Sequence, residues 1–414
     1  KFLVLAFALF AVSGLSAQNV KGTLTVWSYT DEMTNMLNNY FKPAHKDVQI
    51  TYSFIPSDQF PSKLDTALAS GNGTPDVFNL EMLELRKYVE SGLLLDLTSI
   101  YEKHKAKLLA YPAEVGTYNG KVYALSWQAV PGAMFYRRSL AKKYLGTDDP
   151  AKVQLLFSNF NKFLETAKLL GDKSRGKCAV VSGAQDLLLP FLGTRTQSWV
   201  VNGKLVIDPV MEQYMDFCKT LRDNKWAGIV GQWSDGWFKG MQGNITDRDG
   251  KQQEVFSYFL ATWGLQYVLK MNAPDTAGDW AMIQGPAPYY WGGTCIAAHK
   301  NTKNPEAALA MIEWLTANDG FLEQWAKDTG DIVSNTDVID KVKNNYNEAY
   351  LAGQNHYAAF ADIAKNVNGK LAQKDDEDIQ QRFWEEVYFY IKGEKTKAQA
   401  LADFRNQVRL QFGL

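Results

Sequence analysis

Apolar and polar residues alternate through TLTVWSY, residues 23–29, which predicts a strand. Thr30 or Asp31 can cap a following helix whose side chains Met33, Met36, Leu37, Tyr40 and Phe41 share one face. VQITYSF returns to a period of two and puts Val48, Ile50, Tyr52 and Phe54 on one side of a second strand. SDQFPSKLDTALASGNG reads as a capped helix with Leu64, Ala67 and Leu68 inward and Gly71 as its stop, and DVFNL as a short buried strand. The order strand, helix, strand, helix, strand implies an α/β fold with a parallel, doubly wound sheet. Ligands of such sheets sit beyond the carboxyl ends of the strands, which singles out Tyr29, Thr30 and Asp31 after the first strand and Glu81 and Met82 after the third.

A second α/β set follows. FSNFNKFLETAKLL and MEQYMDFCKTLRDN have helical periodicity on either side of the buried strand CAVVS. Late in the chain TCIAA is a strand, and Asn304 and Pro305 open the helix AALAMIEWL as cap and first-turn residue. DDEDIQQRFWEEVYFYI predicts a helix with Asp375, Asp376, Glu377 and Asp378 around its first turn, where the dipole favours acidic groups. No linker of low complexity separates the two sets, so the chain is expected to cross between them more than once.

At the N-terminus, Lys1 precedes an apolar run from Phe2 to Val12 and then small residues ending at Ala17. The run is short of the roughly 20 residues that span a membrane, and reads as a secretory signal peptide cleaved after Ala17. No Cys directly follows it, so no lipid anchor is expected, and the protein is placed in the periplasm or outside the cell. A chain of 414 residues exceeds one ordinary core of about 100–200 residues, which makes two lobes the expectation. The 44 basic residues balance the 45 acidic ones without a long basic block, which disfavours nucleic acid and anionic membrane as main partners. Cys178, Cys218 and Cys295 lie far apart without a CxxC pair, arguing against a disulfide scaffold and a zinc site, although one Cys178 to Cys218 bridge stays open.

Familiar catalytic patterns fail on their chemistry. GDKSRGKC, residues 171–178, imitates a phosphate-binding loop but ends in Cys178, and a helix precedes it where one would have to follow, so it reads as a solvated turn. Placing Gly250 of DRDG at the sixth position of a calcium loop puts Ile245 first and Phe256 twelfth, where oxygen ligands are required. HExxH and GxSxG are absent, and His45, His104, His299 and His356 are scattered. No metal or cofactor is therefore expected. The positive signal is aromatic: several of the 12 Trp stand in polar or glycine-rich settings. An indole face matches the C–H patches of a pyranose, and neighbouring polar groups can satisfy its hydroxyls. Trp127 beside Gln128, Trp233 near Asp235, and Tyr29 near Thr30 and Asp31 are such pairs. Core packing is the alternative for each ring taken singly.

Ordered blocks across nearly the whole chain, TLTVWSY, LASGNGTPDVFNLE, SGLLLDLT, YNGKVYALSWQAVPGAMFYRRSLAKKYLG, EVFSYFLATWG and YWGGTCIAAHKNTKNPEAALAMIEWLT, resemble the family 1 extracellular solute-binding proteins of ABC importers, the sugar-binding group that includes the maltose-binding protein. The resemblance implies a type II periplasmic-binding-protein fold, two doubly wound α/β lobes joined by a multi-strand hinge with a ligand cleft between them. It places lobe one at 18–127 plus 287–330 and lobe two at 128–286 plus 331–414. Trp263 stands at the family's cleft tryptophan, with Thr262 in place of the usual small residue before it. Gly292 and Gly293 match the glycine pair before the late strand, Asp31 and Glu81 match hydroxyl-binding positions, and Trp291 has no general counterpart.

The expectation is a monomeric, non-enzymatic binding protein that captures a mono- or oligosaccharide and delivers it to ABC transporter permease subunits. Its ligand set is Tyr29, Thr30, Asp31, Glu81, Trp127, Gln128, Trp233, Asp235, Trp263, Trp291 and Gly292. The alternatives are a secreted carbohydrate-active enzyme, or the same fold with a polyamine, phosphate ester or iron chelate as its solute. Within PYYWGGTCIAA, Tyr289 and Tyr290 stay open between hinge packing and ligand contact.

Overall fold

The computed structural model describes residues 20–414; the expected signal peptide at 1–17 and its cleavage site lie outside them. Strands Gly22–Ser28, Val48–Phe54 and Val77–Glu81 form a parallel sheet with the first in the middle. Thr294–Ala298 completes it antiparallel to Val77–Glu81, because the chain returns here from the second unit and enters the sheet from the opposite direction. Val48–Phe54 is the outer strand. Phe54, expected inward, is 47% exposed at its open end.

Between the first two strands the chain is helical throughout, with a π-helical stretch, Met36–Phe41, between α-helical turns Glu32–Asn35 and Lys42–Ala44. Met33, Met36, Leu37 and Phe41 are buried, whereas Tyr40 sits at the margin and donates its hydroxyl to Asp328 at 2.5 Å. Helix Phe60–Ser70 buries Leu64, Ala67 and Leu68 and ends at Gly71. Asn304 precedes helix Pro305–Ala317 without capping it; its side-chain amide donates instead to the Thr23 carbonyl at 2.9 Å, tying that helix to the first strand.

The second sheet is mixed. Gly132–Arg137 runs antiparallel to both Gln252–Ala261 and Trp280–Ile283, and Cys178–Val181 lies parallel to Gln252–Ala261. Side chains alternate as a pleat requires. Phe135, Tyr258 and Met282 face the apolar cluster that also fills the first sheet, while Tyr136, Phe259 and Ile283 face a second cluster. Over the second cluster lie helices Phe160–Ser174, Pro209–Asp223, Asp376–Lys392 and Lys397–Phe412, the first two capped by the side chains of Asn159 and Asp208. Cys178 and Cys218 are both free and buried, one on a strand and one on a helix, so the open bridge is not made. Residues 171–178 run from a helix end through a turn into strand Cys178–Val181, and no helix start is offered to a phosphate there. Among the described residues no helix is long and apolar enough to cross a membrane.

Three extended segments pass side by side between the units. The middle one, 125–131, exchanges hydrogen bonds with 289–296 on one flank, Ile296 N–H to the Leu125 carbonyl (2.7 Å) and Gly132 N–H to the Tyr289 carbonyl (2.8 Å). On the other flank Ala129 N–H reaches the Ile332 carbonyl (2.6 Å) and Ser334 N–H the Trp127 carbonyl (2.8 Å). Beyond this ribbon, helix Thr336–Val342 packs against helix Asp319–Thr329 of the first unit, and helix Asp376–Lys392 packs in the second.

Where the ribbon enters the second sheet, a Cβ on Gly132 would lie 2.0 Å from the ring of Tyr289. That ring is buried and donates its hydroxyl to the Ala133 carbonyl at 3.3 Å. Gly132→Ala is therefore expected to cost about 1–3 kcal/mol by overpacking. In urea unfolding its midpoint falls with the slope unchanged.

Candidate ligand-binding site

At the carboxyl edge of the first sheet, the strand pairing sets Thr294 opposite Glu81. Tyr29, one residue past the first strand, donates its hydroxyl to Thr294 Oγ1 at 3.1 Å and packs its ring edge-on against Phe60. Burial, and then the nearby Glu81 carboxyl, raise the Tyr29 phenol well above its usual range. The same edge carries Gly292 and Gly293 in the left-handed backbone region, with φ of +68° and +110°. A Cβ on Gly292 would stand 3.2 Å from Glu81 Oε1 and 3.5 Å from Trp263 Nε1, so the bare Cα is what lets a carboxyl and an indole close on the backbone together.

Trp263, just after the long strand of the second sheet, reaches this edge and donates its indole N–H to the Trp291 carbonyl at 2.8 Å. Trp233 joins from the second unit. Its ring lies parallel to Trp263, 12° between planes and 6.0 Å between centroids, while Trp291 stands nearly perpendicular to both, at 66° and 69°. Three indoles thus make two walls and a floor. A carbon ring in van der Waals contact with both walls needs about 7–8 Å, twice the roughly 3.5–4.0 Å of one carbon contact, and 6.0 Å between centroids is the most the gap can be, so the walls must part to take one. The walls differ in freedom. Trp263 is pinned by its hydrogen bond, whereas Trp233 is half exposed and holds φ at +64°, a conformation that costs a non-glycine residue about 1–3 kcal/mol.

Behind Trp233, Trp237 packs at 5.3 Å and donates its indole N–H to Asp186 Oδ1 at 3.0 Å. Asp186 also accepts from Ser182 Oγ at 2.6 Å, and burial pushes its carboxyl up to about 6 against these bonds.

Of the sequence-derived candidates, Tyr29, Glu81, Trp233, Trp263, Trp291 and Gly292 converge here. Thr30 and Asp31 flank the edge: Thr30 N–H bonds back to Ser28 Oγ at 3.0 Å, and Asp31 is exposed. Asp235 is exposed in the first turn of helix Asp235–Gln242. Trp127 and Gln128 do not belong. Trp127 has no exposed surface and Gln128 only 6%, because both lie in the middle segment of the crossing ribbon, walled in by its flanks. Tyr289 is packing in that ribbon. Tyr290 stacks on Tyr111 at 5.6 Å and lines a separate cavity with Arg195 and Asp376, neither of which local sequence context marked. Asp186 and Trp237 were likewise unmarked.

The chain is similar to several known proteins. A family model described as bacterial extracellular solute-binding protein matches residues 27–320. An arabinooligosaccharide-binding protein of Bacillus subtilis is 22% identical over 410 residues, 90% of each chain. Among solved structures, an extracellular solute-binding protein of family 1 superposes with a TM-score of 0.82 at 21% identity, covering 92% of this chain and 97% of its own. An ABC transporter associated binding protein from B. animalis subsp. lactis, solved with β-1,6-galactobiose, superposes with 0.67 at 22% identity, covering 94% and 97%. These likenesses share the type II two-lobed fold.

Burial pushes the Glu81 carboxyl up to about 8, with Glu377 and Glu84 adding to the rise and the Leu83 N–H, donating to Oε2 at 2.6 Å, opposing it. From its ordinary 4.5 up to about 8 the folded protein keeps a proton that the unfolded chain has lost, so this group's contribution to stability falls as pH rises through that window. Glu81→Gln removes the contribution. The expected result is a smaller loss of melting temperature from about pH 5 to about pH 8 in the variant than in the wild type; parallel curves would mean that Glu81 is already ionised in the fold.

Proposed function

Since the chain belongs to the bacterial extracellular solute-binding proteins, we propose that it captures a mono- or oligosaccharide between its lobes, outside the cytoplasm, and presents it as a monomer to the permease subunits of an ABC transporter. One observation carries the choice of ligand: two parallel indole walls and an indole floor stand beside a carboxyl and the side-chain-free backbone of Gly292. Flat faces bind the C–H patches of a sugar ring while the polar rim meets its hydroxyls. The ligand set in this reading is Tyr29, Thr30, Asp31, Glu81, Trp233, Asp235, Trp263, Trp291 and Gly292. Two of the relatives support it, an arabinooligosaccharide-binding protein and a binding protein solved in complex with β-1,6-galactobiose.

In this reading lobe one is 18–127 plus 287–330 and lobe two is 128–286 plus 331–414. The packing of helix Thr336–Val342 on helix Asp319–Thr329 favours moving the last boundary from 330 to beyond 342. Movement about the crossing ribbon opens and closes the box at Trp233, while Trp263 keeps its hydrogen bond to the Trp291 carbonyl. Catalysis has no part in this reading; the work is capture, closure and presentation.

A box of aromatic faces also suits a polyamine or quaternary ammonium ligand. The raised titration of Glu81 weighs against it, because a carboxyl that titrates near 8 is protonated at neutral pH and supplies no anion to pair with a fixed cation.

A thermal-shift screen against neutral sugars and polyamines tests the proposal, since a ligand that binds only the folded state raises its melting temperature. A shift with at least one saccharide is expected. A shift with a polyamine alone overturns the ligand class, and release of product from an oligosaccharide overturns the non-catalytic reading. For the saccharide that shifts it, Trp263→Ala and Trp291→Ala are each expected to cost about 2 kcal/mol of binding or more, roughly 30-fold in Kd by calorimetry.

A further inference from the structure

The indole slot is only as wide as its backing allows. On one side Trp263 is tied to the joint by its bond to the Trp291 carbonyl. On the other, Trp233 is half exposed, and behind its ring stands Trp237, with 5.3 Å between centroids and 43° between planes. That spacing is already aromatic contact, so Trp233 has no empty space to back into.

Trp237 is itself held firmly. It has no exposed surface, and its ring meets Tyr258 edge-on at 5.5 Å. Its indole N–H donates to Asp186 Oδ1 at 3.0 Å, and its carbonyl accepts from the Tyr258 hydroxyl at 3.1 Å. Asp186 is buried as well, and its other oxygen takes the Ser182 hydroxyl at 2.6 Å. Taking this carboxyl away would strand a buried N–H, which is costly, so the bond locks the ring in place.

The same short segment holds the loop that carries Trp233. Val230 N–H reaches the Ser182 carbonyl at 3.1 Å, and Gln232 N–H the Gln185 side-chain oxygen at 3.3 Å. Ser234 Oγ accepts from Trp237 N–H at 3.3 Å and donates to the Gly231 carbonyl at 2.8 Å. Residues 182–186 therefore fix both the wall and the ring behind it.

Two facing walls ask more of a sugar than one does. A pyranose with equatorial hydroxyls shows axial C–H groups on both faces, and fits between parallel indoles. An axial hydroxyl thickens the ring on one side and presses a polar group against an indole that cannot satisfy it.

We infer that Trp237, locked by Asp186, is the stop that keeps the indole slot one flat ring wide, and so selects a sugar unit with equatorial hydroxyls over its epimer with an axial one. This rests on the carbohydrate reading above. Both are positioning residues, acting on the sugar through Trp233.

Calorimetry tests it with three pairs, D-glucose against D-galactose, D-xylose against L-arabinose, and cellobiose against lactose. The members of each differ only at the C4 hydroxyl of one ring, equatorial in the first and axial in the second. In the wild type the first member of at least one pair is expected to bind about tenfold or more tighter than the second, a ratio worth about 1.4 kcal/mol. Trp237→Phe, which thins the stop, and Asp186→Leu, which breaks the lock, are each expected to lower that ratio at least threefold. Asp186→Asn, whose amide oxygen can still accept from the indole, is expected to restore it. A general loosening of the fold would weaken both members alike and leave the ratio where it was. A ratio below tenfold or reversed in every pair overturns the selection, and a wild-type ratio kept in a folded Trp237→Phe or Asp186→Leu overturns the stop; either leaves the sugar reading standing. The wild-type ratios need no variant, so misfolding of one substitution does not leave the matter open. No saccharide binding by the wild type overturns both readings.

Discussion

The backbone of residues 125–131 passes between two apolar cores, and nearly every side chain along it is buried. Its N–H and C=O groups therefore have to find partners away from water. Many find them in two other stretches of the same kind, 289–296 and 332–334, while Gln128 N–H turns to Ser126 Oγ and Val130 N–H to the Tyr111 hydroxyl. This fixes much else. Trp127 is locked into the ribbon and cannot face a cleft. Tyr289 fills the space that Gly132 leaves bare. Trp291, which follows on the same segment, is delivered to the place where the units meet. The site is thus an outgrowth of the joint, and its floor, the Trp291 ring, is carried on joint backbone.

Electrostatics at that place follow from the same burial. Glu81 ends a strand whose neighbour carries Gly292 and Gly293, and its carboxyl is shielded by the tryptophans that the glycines admit. Desolvation dominates its titration, and the carboxylates of Glu377 and Glu84 push in the same direction. A protonated carboxyl both donates and accepts, which suits it to sugar hydroxyls. Asp186, deeper still, spends its bonds on Ser182 and Trp237 and so acts on the box through the ring behind Trp233. One wall is fixed by a hydrogen bond to the joint and the other rests on a strained loop.

Much of this was legible from local pattern, for reasons that are local. Periods of two and 3.6 place the strands and helices of the first unit, and Gly71 ends its helix where expected. Polar and glycine-rich settings picked out Trp233, Trp263 and Trp291, and the resemblance of the ordered blocks pointed to the family. Local pattern misled at Phe54, inward by periodicity but exposed at the end of an edge strand, and at Asn304, a capping residue whose amide found a carbonyl in another element.

Chain order by itself determined the helices, the strands, the parallel core of the first sheet and the pool of rings from which a site could be drawn, because each depends on neighbours a few residues away. Only the tertiary structure decided which rings serve. Trp127-Gln128 and Trp233-Ser234-Asp235 look alike as text, yet one is sealed inside a ribbon and the other half open. Exposure is set by partners at 289–296 and 332–334 that no local window contains. The meeting of Arg195 with Asp376 across a cavity is decided in the same way, since charges far apart in the chain become neighbours only when the fold has removed the water between them.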